Sequence, residues 1–188
     1  PAILSMSTFE SGTRAEESTR KAHESTRDKA TNPFINLYEN VLLSTENWQD
    51  YDVAGISIVG ISQIIPGLTL ARMIKEKYPN CVIVFGGPET PDDSHNWFAE
   101  NPHIDILVHQ EGELAFNQIL VGLPYEEIQG ITYRTGDSIK TSQSARMQKL
   151  DNVPSPYLAG LFDDLDNEGR TLNMIIETDR GCPFKCTF

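Results

Sequence analysis

Cys182 and Cys186 stand close together in the closing stretch Glu177-Thr178-Asp179-Arg180-Gly181-Cys182-Pro183-Phe184-Lys185-Cys186-Thr187-Phe188. Thiols this close can ligate a metal cluster, close a loop disulfide or remain plain thiols. A cubane [4Fe-4S] cluster that keeps one iron free needs three thiolates converging in a tight turn, and Cys182 and Cys186 supply one interval of such a set.

A second group of candidates follows apolar runs in the middle of the chain: Gly60-Ile61-Ser62-Gln63, Gly86-Gly87-Pro88-Glu89 and His109-Gln110-Glu111-Gly112-Glu113. In open α/β sheets, ligands bind beyond the carboxyl ends of the strands. Paired glycines let backbone approach a ligand, and the Glu-Gly-Glu turn opens a helix whose amides suit an anionic or carbonyl group. Tight turns of any doubly wound sheet explain the same glycines. His109, Glu111 and Glu113 imitate a metal set, but alternate residues on a loop have no fixed convergence, and a solvated loop is the expectation. No side chain is assigned a catalytic role.

The elements that position these loops are legible as an alternation. Asn32 caps and Pro33 opens a helix with Phe34, Leu37, Tyr38, Val41 and Leu42 on its packing face. Strands are predicted at 53–59, 81–85 and 104–108, and helices at 64–78, 93–100 and 113–121. Continuous β-branched strands with helices between them predict a Rossmann-like, flavodoxin-type parallel sheet covered on both faces. A hairpin over 131–134 and 138–141 closes the domain edge through Thr135-Gly136-Asp137. Residues 10–31, with the near-repeat Glu17-Ser18-Thr19-Arg20 and Glu24-Ser25-Thr26-Arg27, read as a polar insert or solvated helix. The expected organisation is a sheet domain over 1–147, a linker over 148–170 carrying Asp163, Asp164 and Asp166, and a further domain opening at 171 with a strand over 172–176. Cys81, Trp48 and Trp97 are expected to pack.

Composition limits the partners. The 188 residues carry 27 acidic against 15 basic side chains, net charge -12, which disfavours nucleic acid. The longest apolar stretch is interrupted by Gly, Ser, Gln and Pro, so no membrane span is expected. Three cysteines make no disulfide framework, and a reducing, cytoplasmic setting fits.

The cysteine loop after its apolar strand closely resembles the radical S-adenosylmethionine (radical SAM) enzymes, particularly those with an N-terminal cobalamin-binding domain. That family's spacing is C-x-x-x-C-x-x-C, which puts the third ligand at a position 189 beyond this sequence. Asp52-Val53-Ala54-Gly55-Ile56-Ser57, Leu70-Ala71-Arg72-Met73-Ile74-Lys75, Val84-Phe85-Gly86-Gly87-Pro88 and Gly112-Glu113 through Phe116 are similar to the cobalamin domains, over about residues 32 to 188. Asn32-Pro33-Phe34 and the 64–72 stretch resemble members acting in peptide natural-product maturation.

The resemblance implies a [4Fe-4S] cluster on Cys182 and Cys186, S-adenosylmethionine cleaved to a 5'-deoxyadenosyl radical, and Phe188 on the S-adenosylmethionine side. It implies a cobalamin-type site at Ser57, Gly60, Ser62, Gln63, Gly86, Gly87, Pro88, Glu111, Gly112 and Glu113. The D-x-H-x-x-G signature of histidine-ligating cobalamin domains is not present. Asp93-Ser94-His95-Asn96-Trp97-Phe98 lacks the glycine and follows a later strand, so His95 is read as a surface helix residue.

These expectations describe the N-terminal part of a longer enzyme, a methyltransferase or peptide-modifying protein that ends here at the first strand of a partial TIM barrel. Its partners would be a small-molecule or peptide substrate and an external electron donor. The part itself would not turn over, and a first sheet strand would precede Pro1. Two alternatives stay open: a non-catalytic corrinoid-binding or interaction module, and a stand-alone flavodoxin-like binding or signalling protein.

Overall fold

A computed structural model describes residues 16–45, 47–90, 94–143, 153–163, 174 and 176–177. The chain divides into two compact units, Pro1–Arg146 and Met147–Phe188.

In the first unit, five strands lie side by side in chain order: β1 (Val53–Ser57), β2 (Val82–Gly86), β3 (Ile106–Val108), β4 (Ile131–Thr135) and β5 (Ser138–Thr141). β1, β2 and β3 run parallel, and β4 and β5 return antiparallel. The unit is therefore α/β and Rossmann-like, its parallel strands extended at the domain edge by the expected hairpin, which adds antiparallel to β3. Among the described strands, β1 forms one edge of the sheet.

Helices cover both faces. On one side α4 (Ile64–Lys77) and α5 (Ser94–Glu100) bury Ile65, Leu68, Ile74, Trp97 and Phe98 against Ile83, Phe85 and Leu107. On the other, α6 (Glu113–Leu120) sets Ala115 and Ile119 against Val84, Ile106, Ile131 and Tyr133. A Cβ on Gly55 of β1 would come within 2.8 Å of the Phe116 ring, so the bare backbone there lets α6 lie close to the sheet. Cys81 is buried, which pushes its thiol pKa up. Trp97 packs on Phe85 with ring centroids 5.2 Å apart, while Trp48 is half-buried with its indole N–H on the Leu42 carbonyl.

Two local readings change. α1 (Glu16–Ser25) belongs to the polar stretch, yet it is docked: Ala22 and Thr26 are buried, and Arg72 of α4 donates to the Thr26 carbonyl at 2.8 Å. The helix opened by Pro33 starts as expected, with the Asn32 carboxamide oxygen accepting from Phe34 N–H. Its packing face does not follow the 3.6-residue pattern. α2 (Pro33–Leu37) passes through a π-helical turn, Tyr38–Leu42, into α3 (Leu43–Thr45). Ile35 and Leu43 are buried, Phe34, Tyr38 and Leu42 are half-buried, and Leu37 and Val41 stand exposed.

In the second unit, residues 153–163 form consecutive turns tied by Ala159 N–H to the Ser155 carbonyl at 2.9 Å. Met174 and Ile176, from the predicted last strand, are not in a strand. Asp164, Asp166, Cys182, Cys186 and Phe188 lie outside the described residues.

Candidate cofactor surface at the strand ends

The parallel order of β1, β2 and β3 brings their three following loops to one end of the sheet. Ser57 closes β1 with its side chain exposed. Ile58 then turns back, donating its N–H to the Gly86 carbonyl at 2.8 Å and accepting Glu89 N–H at 3.2 Å. The first two loops are thus bonded to each other through backbone.

Gly87 makes that closure. Its φ is +106°, and a Cβ there would lie 2.3 Å from the Ile58 carbonyl oxygen. The space beside Gly87 is taken by protein. Thr90 finishes the turn, its hydroxyl donating to the Gly87 carbonyl at 2.7 Å, and Pro88 stays exposed. Gly60 differs: a Cβ would meet only Ser62 Oγ, at 4.0 Å. Gln63 holds this loop, its Oε1 accepting Val59 N–H at 2.7 Å and Gly60 N–H at 3.3 Å. The Gln63 side chain is thus a loop brace, and exposed Ser62 stands one residue before it.

The third loop is exposed to half-buried, with His109 anchored to the sheet. His109 Nε2 shares a 2.7 Å hydrogen bond with Thr132 Oγ1 of β4, and the His109 amide donates to the Gly130 carbonyl at 2.8 Å. This ties the ring to the hairpin. Gln110 takes φ +56°, and Gly112 then serves as the N-cap position of α6, with Glu113 in its first turn. Among the described residues no group of three His, Cys, Asp or Glu is placed to hold a metal ion. His95 lies in α5.

Sequence reasoning missed Val59 and Ile61, which are 64% and 45% exposed on the first loop. Val59 was read as the last residue of the first strand, which in fact ends at Ser57, and Ile61 was placed in the loop without a role. With Ser57, Ser62 and the open backbone at Gly60 they make a surface that is apolar and polar by turns. It offers contact and hydrogen bonding, with no nucleophile paired to a base. A corrin fits such a surface as a broad, partly apolar disc carrying amide arms.

No family model matches the chain. It is 35% identical over 131 residues to the cobalamin-dependent radical SAM methyltransferase TokK of Streptomyces tokunonensis, covering 64% of this chain and 19% of that protein. It is 34% identical over 131 residues to 2-(S-pantetheinyl)-carbapenam-3-carboxylate methyltransferase of Streptantibioticus cattleyicolor, again 64% and 19%. An uncharacterized methyltransferase of Pyrococcus horikoshii is 29% identical over 145 residues, 74% of this chain and 31% of that protein. The chain thus spans about a fifth of the length of the first two relatives.

Proposed function

This chain is a homologue of cobalamin-dependent radical SAM methyltransferases, and from that premise we propose that its first unit binds cobalamin at the carboxyl end of β1, β2 and β3. The observation that carries the reading is the open, mixed surface on the first loop, where Gly60 is uncrowded and Val59 and Ile61 are exposed. Ser57, Ser62 and the backbone at Gly60 would hydrogen-bond the amide arms, while Val59 and Ile61 cover the disc and keep water from it. Gln63, Gly86 and Gly87 hold the two loops in register beneath. Pro88 borders the second loop. Glu111, Gly112 and Glu113 border the third, where the start of α6 directs amides outward.

The reaction proposed for the whole protein is methyl transfer to a small molecule or peptide, with electrons from an external donor in a reducing, cytoplasmic setting. Cys182 and Cys186 are the proposed cluster thiolates, and Phe188 the proposed neighbour of S-adenosylmethionine. Bound together, the cobalamin supplies a methyl carrier, and the cluster with S-adenosylmethionine supplies a hydrogen-abstracting radical. The chain's own part is to bind and orient. No described helix is long and apolar enough to cross a membrane.

A second reading, a non-catalytic supporting module, is favoured by one observation: the Ile58 backbone alone accounts for Gly87. Titrating the chain with hydroxocobalamin, followed by visible absorption, separates the two. Saturable spectral change, weakened at least about tenfold by Val59→Asp with Ile61→Asp, supports binding at this end. No change at any concentration leaves the supporting role.

A further inference from the structure

α4 starts at the carboxyl end of β1 and ends before β2 begins, so Arg72 to Lys77 lie towards the opposite end of the sheet from the cofactor surface. There a cavity of about 470 Å³ opens beside α4. Ile35 and Leu43, the two buried residues of the helical segment after Pro33, form its apolar lining with Met73.

Its charge runs against that of the chain. Overall, acidic side chains outnumber basic ones 27 to 15. In the cavity Lys29, Arg72 and Lys77 outnumber Glu39 and Glu76, with exposed Lys29 3.2 Å from Glu39, Lys77 donating to the Leu43 carbonyl at 3.2 Å, and Arg27 3.1 Å from Glu76. Arg72 is 8% exposed. It spends one nitrogen on Glu76 at 2.6 Å and another on the Thr26 carbonyl, and its buried Nε has no hydrogen-bond partner. A buried guanidinium N–H without an acceptor is costly, and it marks a place where an acceptor is wanted. Glu76 is the internal anion at present, shared between Arg27 and Arg72. Because Arg27 already holds its other oxygen, Glu76 can turn off Arg72 without losing its own partner.

We propose that this cavity binds a small organic acid, its carboxylate held by Arg72, Lys29 and Lys77 and its short apolar stem lying on Ile35, Leu43 and Met73. The volume falls within the ordinary range for small-molecule sites, about 300–1,000 Å³. The ligand would be distinct from cobalamin and from S-adenosylmethionine, and the site independent of the cofactor surface.

The test titrates the full chain with hexanoate, hexylammonium and inorganic phosphate, reading amide NMR shifts at Ile35, Leu43 and Met73. Hexanoate should saturate, hexylammonium should not, and phosphate, which lacks the stem, should bind more weakly. Lys29→Gln and Lys77→Gln should each weaken hexanoate roughly threefold to fivefold. Both lysines are exposed, so the fold survives these changes, whereas Arg72 also anchors α1 and is left intact. Absence of saturable hexanoate binding, equal affinity for phosphate or hexylammonium, or unchanged affinity in the double lysine variant would each overturn the proposal.

Discussion

Gly87 and Ile58 meet backbone to backbone: a Cβ on Gly87 would stand 2.3 Å from the Ile58 carbonyl oxygen and 2.7 Å from its nitrogen. Neither atom can yield without disturbing the hydrogen bonds that tie the first two loops together, from Ile58 N–H to the Gly86 carbonyl and from Glu89 N–H to the Ile58 carbonyl.

Gly87→Ala should therefore destabilise the first unit by at least about 2 kcal/mol, the combined result of left-handed backbone strain and the clash. Gly60→Ala, at φ -145° and in open space, should change stability by less than about 0.5 kcal/mol. Urea unfolding midpoints of the two variants check the contrast.

Gln63→Leu keeps the bulk and removes the oxygen that accepts from Val59 and Gly60. The cost should resemble loss of a helix cap, about 1 kcal/mol. Amide hydrogen exchange at Val59 should accelerate, while exchange at Phe85 in the buried β2 stays slow. Gln63→Glu retains an acceptor and should restore Val59 protection.

The half-buried His103 stacks on His23, ring centroids 6.3 Å apart and planes 4° from parallel, with Arg27 Nη2 3.3 Å from its Nε2. Burial holds its pKa below the ordinary value near 6.5; Arg27, His23 and Arg72 push the same way and Glu76 opposes them. The unfolded chain then binds a proton at a higher pH than the folded one does. Stability from this group is complete above about pH 6.5, falls as pH drops below it, and levels off below the folded pKa. The difference in unfolding free energy between the wild type and His103→Gln should be flat above about pH 7 and fall as pH drops below about 6.5. A flat difference throughout would contradict the assignment.

The core strands were legible because β2 is a run of β-branched and aromatic residues buried on both faces, and a single turn sequence fixed the hairpin. What escaped the sequence depends on contacts distant along the chain or on altered helical pitch. Nothing near His109 announces Thr132, which comes 23 residues later. Asn32 was read as a local cap. Its carboxamide also reaches Thr69 Oγ1, 37 residues away, at 2.9 Å, and joins α1, α2 and α4 in one buried contact. The helix after Pro33 buries Ile35 and Leu43, which the 3.6-residue reading of Phe34, Leu37, Tyr38, Val41 and Leu42 left out, and its middle turn at Tyr38 is π-helical. At the strand ends the glycines were visible, but Gly87 and Gly60 look alike in sequence, and only the Ile58 backbone distinguishes the closed one from the open one.

The central claim is that cobalamin rests on the loops after β1, β2 and β3. Hydrogen exchange of backbone amides, with and without saturating hydroxocobalamin, tests it most directly. The account predicts slowed exchange at residues 59–63 foremost, with weaker slowing at 87–90 and 110–113 and none in α1 or the β4–β5 hairpin. Unchanged exchange at 59–63 together with slowing elsewhere on the chain would contradict it.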